Sequence, residues 1–187
     1  MNRKIFVATT NEGKLKEFRE AFGGSGIEIE PLSIKFNELQ QDDLQKVSQQ
    51  KALDAFGQIK KPILVDDSGI YIDRYNNFPG TNTKQIIEGL GIEGIKRLID
   101  EGDRAHFFTI LSYMDESSDV PVTFTGEAYG RLSLKYNGGG ETGFPFNQLF
   151  IPDGDSRFVC EIPVGERIKF SHRMKAASKF KEYILTK

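Results

Sequence analysis

Cysteine is almost absent from this sequence, since Cys160 is the only one among 187 residues. No intrachain disulfide can form, and such cysteine use is typical of a reducing compartment. Long apolar runs are missing as well: the first, at residues 5–8, is too short for the core of a signal peptide or for a membrane span. We therefore expect a cytoplasmic protein without membrane attachment. A chain of this length buries a sizeable core as one domain, residues 1–187, without disulfides.

An excess of charge of either sign is also lacking, because 25 basic residues face 27 acidic ones and the net charge is -2. A near-neutral chain lacks the excess of basic residues that sequence-independent binding to duplex nucleic acid requires, so we expect no nucleic-acid partner. Any site for a polyanion must then be built locally. Histidine is scarce too: of the two, His106 lies within a strand pattern, where we expect a structural role.

What the sequence does contain is an alternation of strand and helix patterns followed by two long strands. Short apolar or alternating runs predict strands at residues 4–9, 26–34, 62–66, 70–73, 105–115 and 121–134, and turn residues predict a loop at 76–80. Apolar residues at helical spacing predict helices at residues 15–22, 42–59, 83–101 and 171–185, the third made irregular by glycines. This order indicates a mixed α/β sheet with flanking helices.

Two adjacent carboxylates and a glycine end one strand pattern, in the stretch "DDSG" at residues 66–69. One interpretation is a tight turn between two strands, since Asp, Ser and Gly favour turns. The other is a site in which Asp66 and Asp67, with Glu38 as a third acid, bind a metal or act as a base. Carboxylates bind Mg²⁺ with help from substrate phosphates, and a bound metal can activate water and bridge phosphoryl oxygens.

The loop "TTNEGK" between the first strand and its helix places Thr9, Asn11 and Lys14 at a helix start. It matches neither the P-loop nor the dinucleotide-binding fingerprint, which excludes the two common phosphate-binding loops. Two interpretations stay open. Asn11 caps the helix beside a solvated Lys14, or backbone N–H groups and the ammonium bind an anion.

A second unusual helix start is "SHRMK". Ser171 is a good N-cap, but His172, Arg173 and Lys175 then place potential cations where the helix dipole favours acids. This is either a solvated basic surface or a site for an anion. Cationic helix starts combined with clustered acids suit a magnesium nucleoside triphosphate.

Four segments, in this order, resemble one family, the inosine triphosphate pyrophosphatases, which hydrolyse non-standard purine nucleoside triphosphates. The segments are "ATTNEGKLKE", "NELQ" with "QKA" after it, "VDDSGIYID....FPG", and "FSHR" opening the last helix. In addition, "GFPFNQLFIPDG" is similar to the family's base-pocket loop. The resemblance covers nearly the whole chain, and it favours "DDSG" as both a strand-end turn and part of a site.

The resemblance implies an elongated two-lobed α/β fold around a long curved mixed β-sheet with flanking helices, with the active cleft between the lobes. It also implies a homodimer. The implied reaction is the attack of water on the α-phosphorus of a nucleoside triphosphate such as ITP, dITP or XTP. Its products are the monophosphate and pyrophosphate, and its implied cofactor is Mg²⁺.

The resemblance also implies a role for each matching residue. Thr9, Asn11 and Lys14 would hold the triphosphate. Glu38 and Asp67 would serve metal and water, with Asp66 sharing the metal, and the catalytic residues would be Asp67 and Lys14. The residues implied to bind the rest of the substrate are Phe144, Phe146, Asn147, Arg167, Ser171, His172 and Arg173, of which His172 and Arg173 suit donation to a 6-keto oxygen.

Several positions depart from the family pattern. Where the family commonly has glycine, an aromatic residue, Asp and Pro, this chain has Pro145, Phe146, Asn147 and Gln148. Arg167 replaces a usual lysine, and "TNTK", which ends in Lys84, replaces a Tyr or Ser-Ala-Arg run. These departures leave open a pyrophosphatase of altered base specificity and a nucleotide-binding sensor with little turnover. An RNA-binding module is disfavoured by the charge balance.

Overall fold

The computed structural model of the chain describes residues 3–36, 43–136 and 144–187. The strands are β1 (Arg3–Val7), β2 (Ile27–Pro31), β3 (Ile63–Ile72), β4 (Phe78–Gly80), β5 (Arg104–Met114), β6 (Val122–Leu132) and β7 (Phe150–Pro152). The helices are α1 (Glu12–Phe22), α2 (Leu44–Ile59), α3 (Thr83–Lys96) and α4 (His172–Thr186). Short 3₁₀ helices lie at Asp73–Tyr75, Pro145–Gln148, Val159–Glu161 and Val164–Lys169.

Within the described residues, the seven strands form one sheet in the order β2-β1-β3-β5-β6-β7, and β4 pairs with β3. Strand β1 pairs in parallel with β2 and with β3, whereas β3 pairs antiparallel with β4, as β6 does with β7. Parallel neighbours need a crossover, which α1 and α2 provide. The expected mixed α/β sheet with flanking helices is therefore confirmed.

The chain forms two compact units, each assembled from separate segments. Unit 1 comprises the described residues of 1–68, 109–126 and 173–187, and unit 2 those of 69–108 and 127–172. The boundaries fall inside β3, β5 and β6 and after the first residue of α4, so each of these strands supplies residues to both units.

Helix α1 of unit 1 follows directly from its sequence. Its N-cap is Asn11, whose side-chain oxygen accepts a hydrogen bond from the Lys14 backbone N–H at 3.1 Å. Leu15, Phe18 and Phe22, at helical spacing, are fully or almost fully buried. The cap orients the first turn of the helix and thereby sets the direction in which the Lys14 side chain leaves it.

Helices cover both faces of the strands in unit 1. On one face, Leu64 of β3 shares a buried cluster with Phe18 of α1 and Phe180 of α4. On the other face, Val65 shares a cluster with Ala52 of α2. Because successive strand residues point to opposite faces, the even-numbered residues in this part of β3 face α1 and α4, and the odd-numbered ones face α2.

Unit 2 packs one face of its strands against α3. Phe107 of β5 shares a buried cluster with Ile95 of α3 and with Phe146. On the other face, the His106 ring stacks between the rings of Tyr71 and Tyr129, with centroid distances of 5.1 and 5.0 Å. These contacts agree with the structural role expected for His106.

The turn interpretation of residues 66–69 is wrong, because β3 runs without interruption from Ile63 to Ile72. Gly69 serves a different purpose: a Cβ at this position would lie 2.3 Å from the backbone oxygen of Gly80, so glycine allows β4 to approach. Residues 78–80, predicted as part of a loop, form β4. The predicted irregularity of α3 is confirmed by Gly91, which has a φ of 60°.

None of the helices in the described part of the chain combines the length and the apolar character that crossing a bilayer requires.

Candidate active site

Asp66 and Asp67 are neighbours in sequence but have different surroundings. As adjacent residues of one strand they point to opposite faces of the sheet. Asp66 faces α1 and α4, and Asp67 faces α2, as their contacts confirm. The fold therefore separates the two carboxylates and gives each its own basic partners.

The Asp66 carboxylate is fully buried and contacts two cations. Its Oδ2 atom accepts a hydrogen bond from Arg173 Nε at 2.5 Å and lies 3.5 Å from Lys14 Nζ. Its Oδ1 atom accepts a hydrogen bond from Ser68 Oγ at 2.7 Å. Burial alone would raise the pKa of Asp66, but the two cations and the Ser68 hydroxyl outweigh it and hold that pKa well below its usual range. Both oxygens are thus engaged by protein groups, and the expected share of Asp66 in metal binding stays a prediction.

The Lys14 side chain turns inward, so the solvated interpretation of Lys14 does not hold. Its ammonium donates a hydrogen bond to the backbone oxygen of Asp66 at 3.1 Å, and 26% of the side chain remains exposed. Burial lowers the pKa of Lys14, and the negative charge of Asp66 opposes this shift. The Thr9 hydroxyl accepts a hydrogen bond from the backbone N–H of Asn11 at 3.2 Å. The loop thus combines an Asn11 helix cap with an inward-facing cation.

Arg173, in the first turn of α4, is buried among three acceptors of unit 1. Besides the bond to Asp66, its Nη1 donates to Glu17 Oε2 at 3.0 Å and its Nη2 donates to Ser68 Oγ at 3.1 Å. Ser68 Oγ also lies 2.6 Å from Thr109 Oγ1. These donors, expected from the sequence to face a purine base, are directed at protein groups.

Asp67 presents one paired and one unpaired oxygen. Its Oδ1 atom accepts a hydrogen bond from the Lys51 ammonium of α2 at 2.5 Å. Its Oδ2 atom is buried and has no hydrogen-bond partner among the described residues. A buried polar atom left without a partner is costly, so an unpaired carboxylate oxygen is a candidate for binding a ligand.

The chemistry of this oxygen suits a divalent cation, which prefers carboxylate ligands. Over residues 3–36, 43–136 and 144–187, no three His, Cys, Asp or Glu side chains form a group that could hold a metal ion. Glu38, the third acid proposed from the sequence, lies outside the described residues.

Of the residues predicted to contact the base, Phe144, Phe146 and His172 lie in unit 2 near Phe107, whereas Arg173 belongs to unit 1. The His172 ring stacks on the Phe107 ring at a centroid distance of 4.9 Å and an interplanar angle of 13°. Phe144 lies 6.0 Å from Phe107 and is 39% exposed. Phe146, by contrast, is 1% exposed and belongs to the core of unit 2. Of the two predicted phenylalanines, Phe144 is therefore the one whose ring is accessible.

The other sequence-predicted residues have defined positions as well. Arg167 is buried, and its Nε donates a hydrogen bond to the Ile162 backbone oxygen at 2.7 Å. Ser171 is buried, and its backbone N–H donates to the Arg167 backbone oxygen. Asn147 is half-buried in the 3₁₀ helix that follows Phe144.

Sequence reasoning assigned no role to Lys51, Glu17, Ser68 or Thr109. Glu17 was detectable in principle, because it lies between apolar residues of the buried stripe of α1, and buried Glu residues are rare without a partner. Lys51 and Thr109 could be found only from the tertiary fold, in which α2 packs against β3 and the sheet order places β5 beside β3.

Comparison with known proteins places these residues in a wider context. A model of the Ham1 family matches residues 5–183. A protein of Methanopyrus kandleri described as a dITP/XTP pyrophosphatase is 36% identical over 182 residues, covering 96% of this chain and 95% of that protein. A Saccharolobus solfataricus protein with the same description is 35% identical over 183 residues, covering 97% of this chain and 93% of that protein.

Solved structures agree on the fold. A HAM1 protein from Coxiella burnetii matches with a TM-score of 0.79 at 23% identity, covering 99% of this chain and 100% of that chain. The Staphylococcus aureus Ham1 protein matches with a TM-score of 0.75 at 20% identity, covering 98% and 99% of the two chains.

Proposed function

The chain belongs to the Ham1 family, and from this premise we propose that it hydrolyses non-standard purine nucleoside triphosphates to the monophosphate and pyrophosphate. The full-length similarity to proteins described as dITP/XTP pyrophosphatases supports this substrate class. The structural observation that carries the proposal is the contrast between two adjacent carboxylates. Both oxygens of Asp66 accept hydrogen bonds from protein groups, whereas Asp67 keeps a buried oxygen without a partner among the described residues.

We assign the triphosphate to the start of α1. Thr9, Asn11 and Lys14 combine backbone N–H groups, the positive end of the helix dipole and one ammonium, which together suit an anion. Among the described residues, the Lys14 ammonium donates to the Asp66 backbone oxygen at 3.1 Å and lies 3.5 Å from the Asp66 carboxylate. An ammonium has three N–H donors, so a donor remains for a phosphate oxygen.

We assign the metal and the attacking water to Asp67, with Glu38 as the second ligand predicted from the sequence. A bound divalent ion such as Mg²⁺ lowers the pKa of water and neutralises phosphoryl oxygens. Lys51 holds the Oδ1 atom of Asp67 and so fixes the direction in which Oδ2 points. In this role Oδ2 orients the water that attacks the α-phosphorus, and the bond from the α-phosphorus to the oxygen bridging to the β-phosphate breaks.

We assign the purine base to unit 2. The exposed Phe144 ring offers a stacking surface, and His172, oriented by its stack on Phe107, is the proposed donor to a 6-keto oxygen. A donor at this position favours hypoxanthine and xanthine over adenine, whose 6-amino group would face it. Asn147 replaces a carboxylate usual in the family. Arg167 and Ser171, which precede α4, are the other residues of unit 2 that we propose for substrate binding, and the Ser171 N–H donates to the Arg167 backbone oxygen.

Release assays with Mg²⁺ across ITP, XTP, dITP, GTP, ATP and dUTP test the proposal. We expect pyrophosphate rather than phosphate, released fastest from XTP, ITP or dITP. Release of phosphate alone would contradict the proposed reaction. Tight binding of ITP or XTP with no turnover of any substrate would identify a nucleotide sensor instead.

We further propose a cytoplasmic homodimer that forms one domain over residues 1–187. The cysteine use and near-neutral charge support the compartment, and the resemblance noted from the sequence supports the dimer and the single domain.

A further inference from the structure

We propose that Glu17 is a positioning residue, which acts through Arg173 to keep the Lys14 ammonium available to the triphosphate. The inference rests on the proposed function of Lys14. It assigns no contact between Glu17 and substrate, because Arg173 and Asp66 lie between Glu17 and Lys14 in the chain of contacts.

The distances from Asp66 Oδ2 to the two cations show that Arg173 is bound more closely than Lys14. Arg173 Nε lies 2.5 Å from Asp66 Oδ2, whereas Lys14 Nζ lies 3.5 Å from the same atom. The first distance is a short charge-assisted hydrogen bond, and the second lies beyond the usual hydrogen-bond range. Arg173 therefore occupies the carboxylate that would otherwise hold Lys14 in a tight buried ion pair.

Arg173 can do so because other groups fix its orientation. Glu17 Oε2 accepts from Nη1 at 3.0 Å, and Ser68 Oγ accepts from Nη2 at 3.1 Å. The single Ser68 hydroxyl proton is used on Asp66 Oδ1, so Thr109 must donate to Ser68. These hydrogen bonds allow one orientation of the Arg173 guanidinium in which its contacts with Asp66, Glu17 and Ser68 are all made.

The position of Glu17 on α1 suits this role. Glu17 follows Lys14 by three residues, so both side chains leave the same side of the helix. Glu17 is 9% exposed, and a buried carboxylate of this kind needs a cationic partner. Helix α1 thus carries both Lys14, which is proposed to bind phosphate, and Glu17, which holds Arg173, the other cation at the Asp66 carboxylate.

For polyanion binding by Glu17→Gln, an effect of charge alone and a loss of Arg173 positioning predict opposite changes. The cations Lys14 and Arg173 balance the anions Asp66 and Glu17. Removing the charge of Glu17 leaves one excess positive charge near the triphosphate site, which by Coulomb attraction alone would strengthen polyanion binding. If Glu17 is needed to hold Arg173 in place, binding weakens instead.

The experiment measures the dissociation constant of inorganic tripolyphosphate by calorimetry, together with kcat and KM for XTP. We expect Glu17→Gln to weaken tripolyphosphate binding about tenfold, the size of one lost charge-assisted hydrogen bond, and to raise KM in parallel. Glu17→Asp, which keeps the charge but shortens the reach, gives an intermediate loss. The matched control Glu20→Gln, an exposed acid of the same helix, stays within about twofold of the wild type.

A double-mutant cycle separates positioning from a general loss of stability. In a Lys14→Ala background, Glu17→Gln should change binding by less than about twofold, because the group that it positions is gone. If Glu17→Gln does not fold, Ser68→Ala, which removes the hydroxyl acceptor of Arg173, takes its place in the cycle. Wild-type or tighter binding by a folded Glu17→Gln protein, or an equal loss in the Lys14→Ala background, overturns the inference. If the wild type releases no pyrophosphate from any nucleotide, the proposed function fails, while the tripolyphosphate measurements still test Glu17.

Discussion

Lys51 of α2 holds one oxygen of Asp67 at 2.5 Å, while the other oxygen of the same carboxylate is buried without a partner among the described residues. Burying a polar atom unpaired carries a free-energy cost, so this oxygen is a candidate for binding a ligand. The arrangement is more easily explained by a carboxylate held ready for a ligand. In the proposed function, Lys51 sets the direction of this carboxylate, and the substrate or its metal completes its contacts.

Replacing Asp67 tests this interpretation. We expect Asp67→Asn to fold and to lose turnover by a factor on the order of 10² to 10⁴, since an amide cannot take a proton from water and is a poorer ligand for a hard cation. The measurement is kcat with XTP at saturating Mg²⁺, with a thermal melt to verify folding. Asp119→Asn, an exposed acid of the β5–β6 turn, is the control. Near-normal turnover by folded Asp67→Asn would return Asp67 to a structural role.

The Lys14 ammonium should contribute mainly to the use of the triphosphate. Lys14→Ala is expected to lower kcat/KM strongly, because a charge at the helix start is lost from both the bound substrate and the transition state. A loss under about threefold, equivalent to less than about 0.7 kcal/mol, would mean that Lys14 does not touch substrate. Lys16→Ala on the same helix is the control.

The pH dependence provides a second measurement on Lys14. Burial lowers the pKa of Lys14. As the pH rises, the Lys14 ammonium therefore loses its proton at a lower pH than an ordinary lysine, whose pKa is about 10.4. KM of the wild type should therefore rise at alkaline pH below that value, and this rise should disappear in Lys14→Ala. An alkaline rise that persists unchanged in the variant would assign it to another group.

The element pattern of this fold was predictable, but the contacts of its polar residues were not. Helix α1 was foreseen because the cap Asn11 and the stripe through Phe18 are local signals. The "DDSG" stretch misled the prediction because turn propensity is a local preference. Packing by helices on both faces of unit 1 overrides it and keeps β3 extended.

The candidate site was predictable only as a set of residues, without their partners. The sequence indicated that Lys14, Asp66 and Arg173 belong together, since the resemblance linked their segments. It did not indicate that Arg173 and Asp66 would bind each other, because that contact joins residues 107 positions apart. The burial of Phe146 could not be predicted either, since it depends on the tertiary packing of unit 2.

Phe144 and Phe146 should respond differently to truncation. Phe144→Ala is expected to raise KM for XTP with little change in stability, because its ring is 39% exposed. Phe146→Ala should destabilise the protein by roughly 3 to 5 kcal/mol, because its ring fills the core of unit 2. Chemical denaturation and steady-state kinetics on both variants separate the two effects. A stable Phe146→Ala protein with a raised KM would make Phe146 the stacking ring.

We expect a moderate preference for purine bases that carry a 6-keto oxygen. With His172 as the donor to a 6-keto oxygen, XTP or ITP should be preferred over ATP by a factor on the order of 10 to 200. The amide of Asn147 can donate to the unprotonated N1 of adenine, which a carboxylate cannot, so Asn147→Asp should increase the preference. The measurement is the ratio of kcat/KM values. Equal hydrolysis of ATP and ITP, or a lower ratio in Asn147→Asp, would contradict this account of the base site.

The position of bond cleavage tests the central claim most directly. Hydrolysis of XTP or ITP in ¹⁸O-labelled water, followed by mass spectrometry of both products, shows which phosphorus the water attacks. If Asp67 orients water towards the α-phosphorus, the label appears in the nucleoside monophosphate and the pyrophosphate carries none. Label in the pyrophosphate, or release of labelled phosphate, would contradict the account.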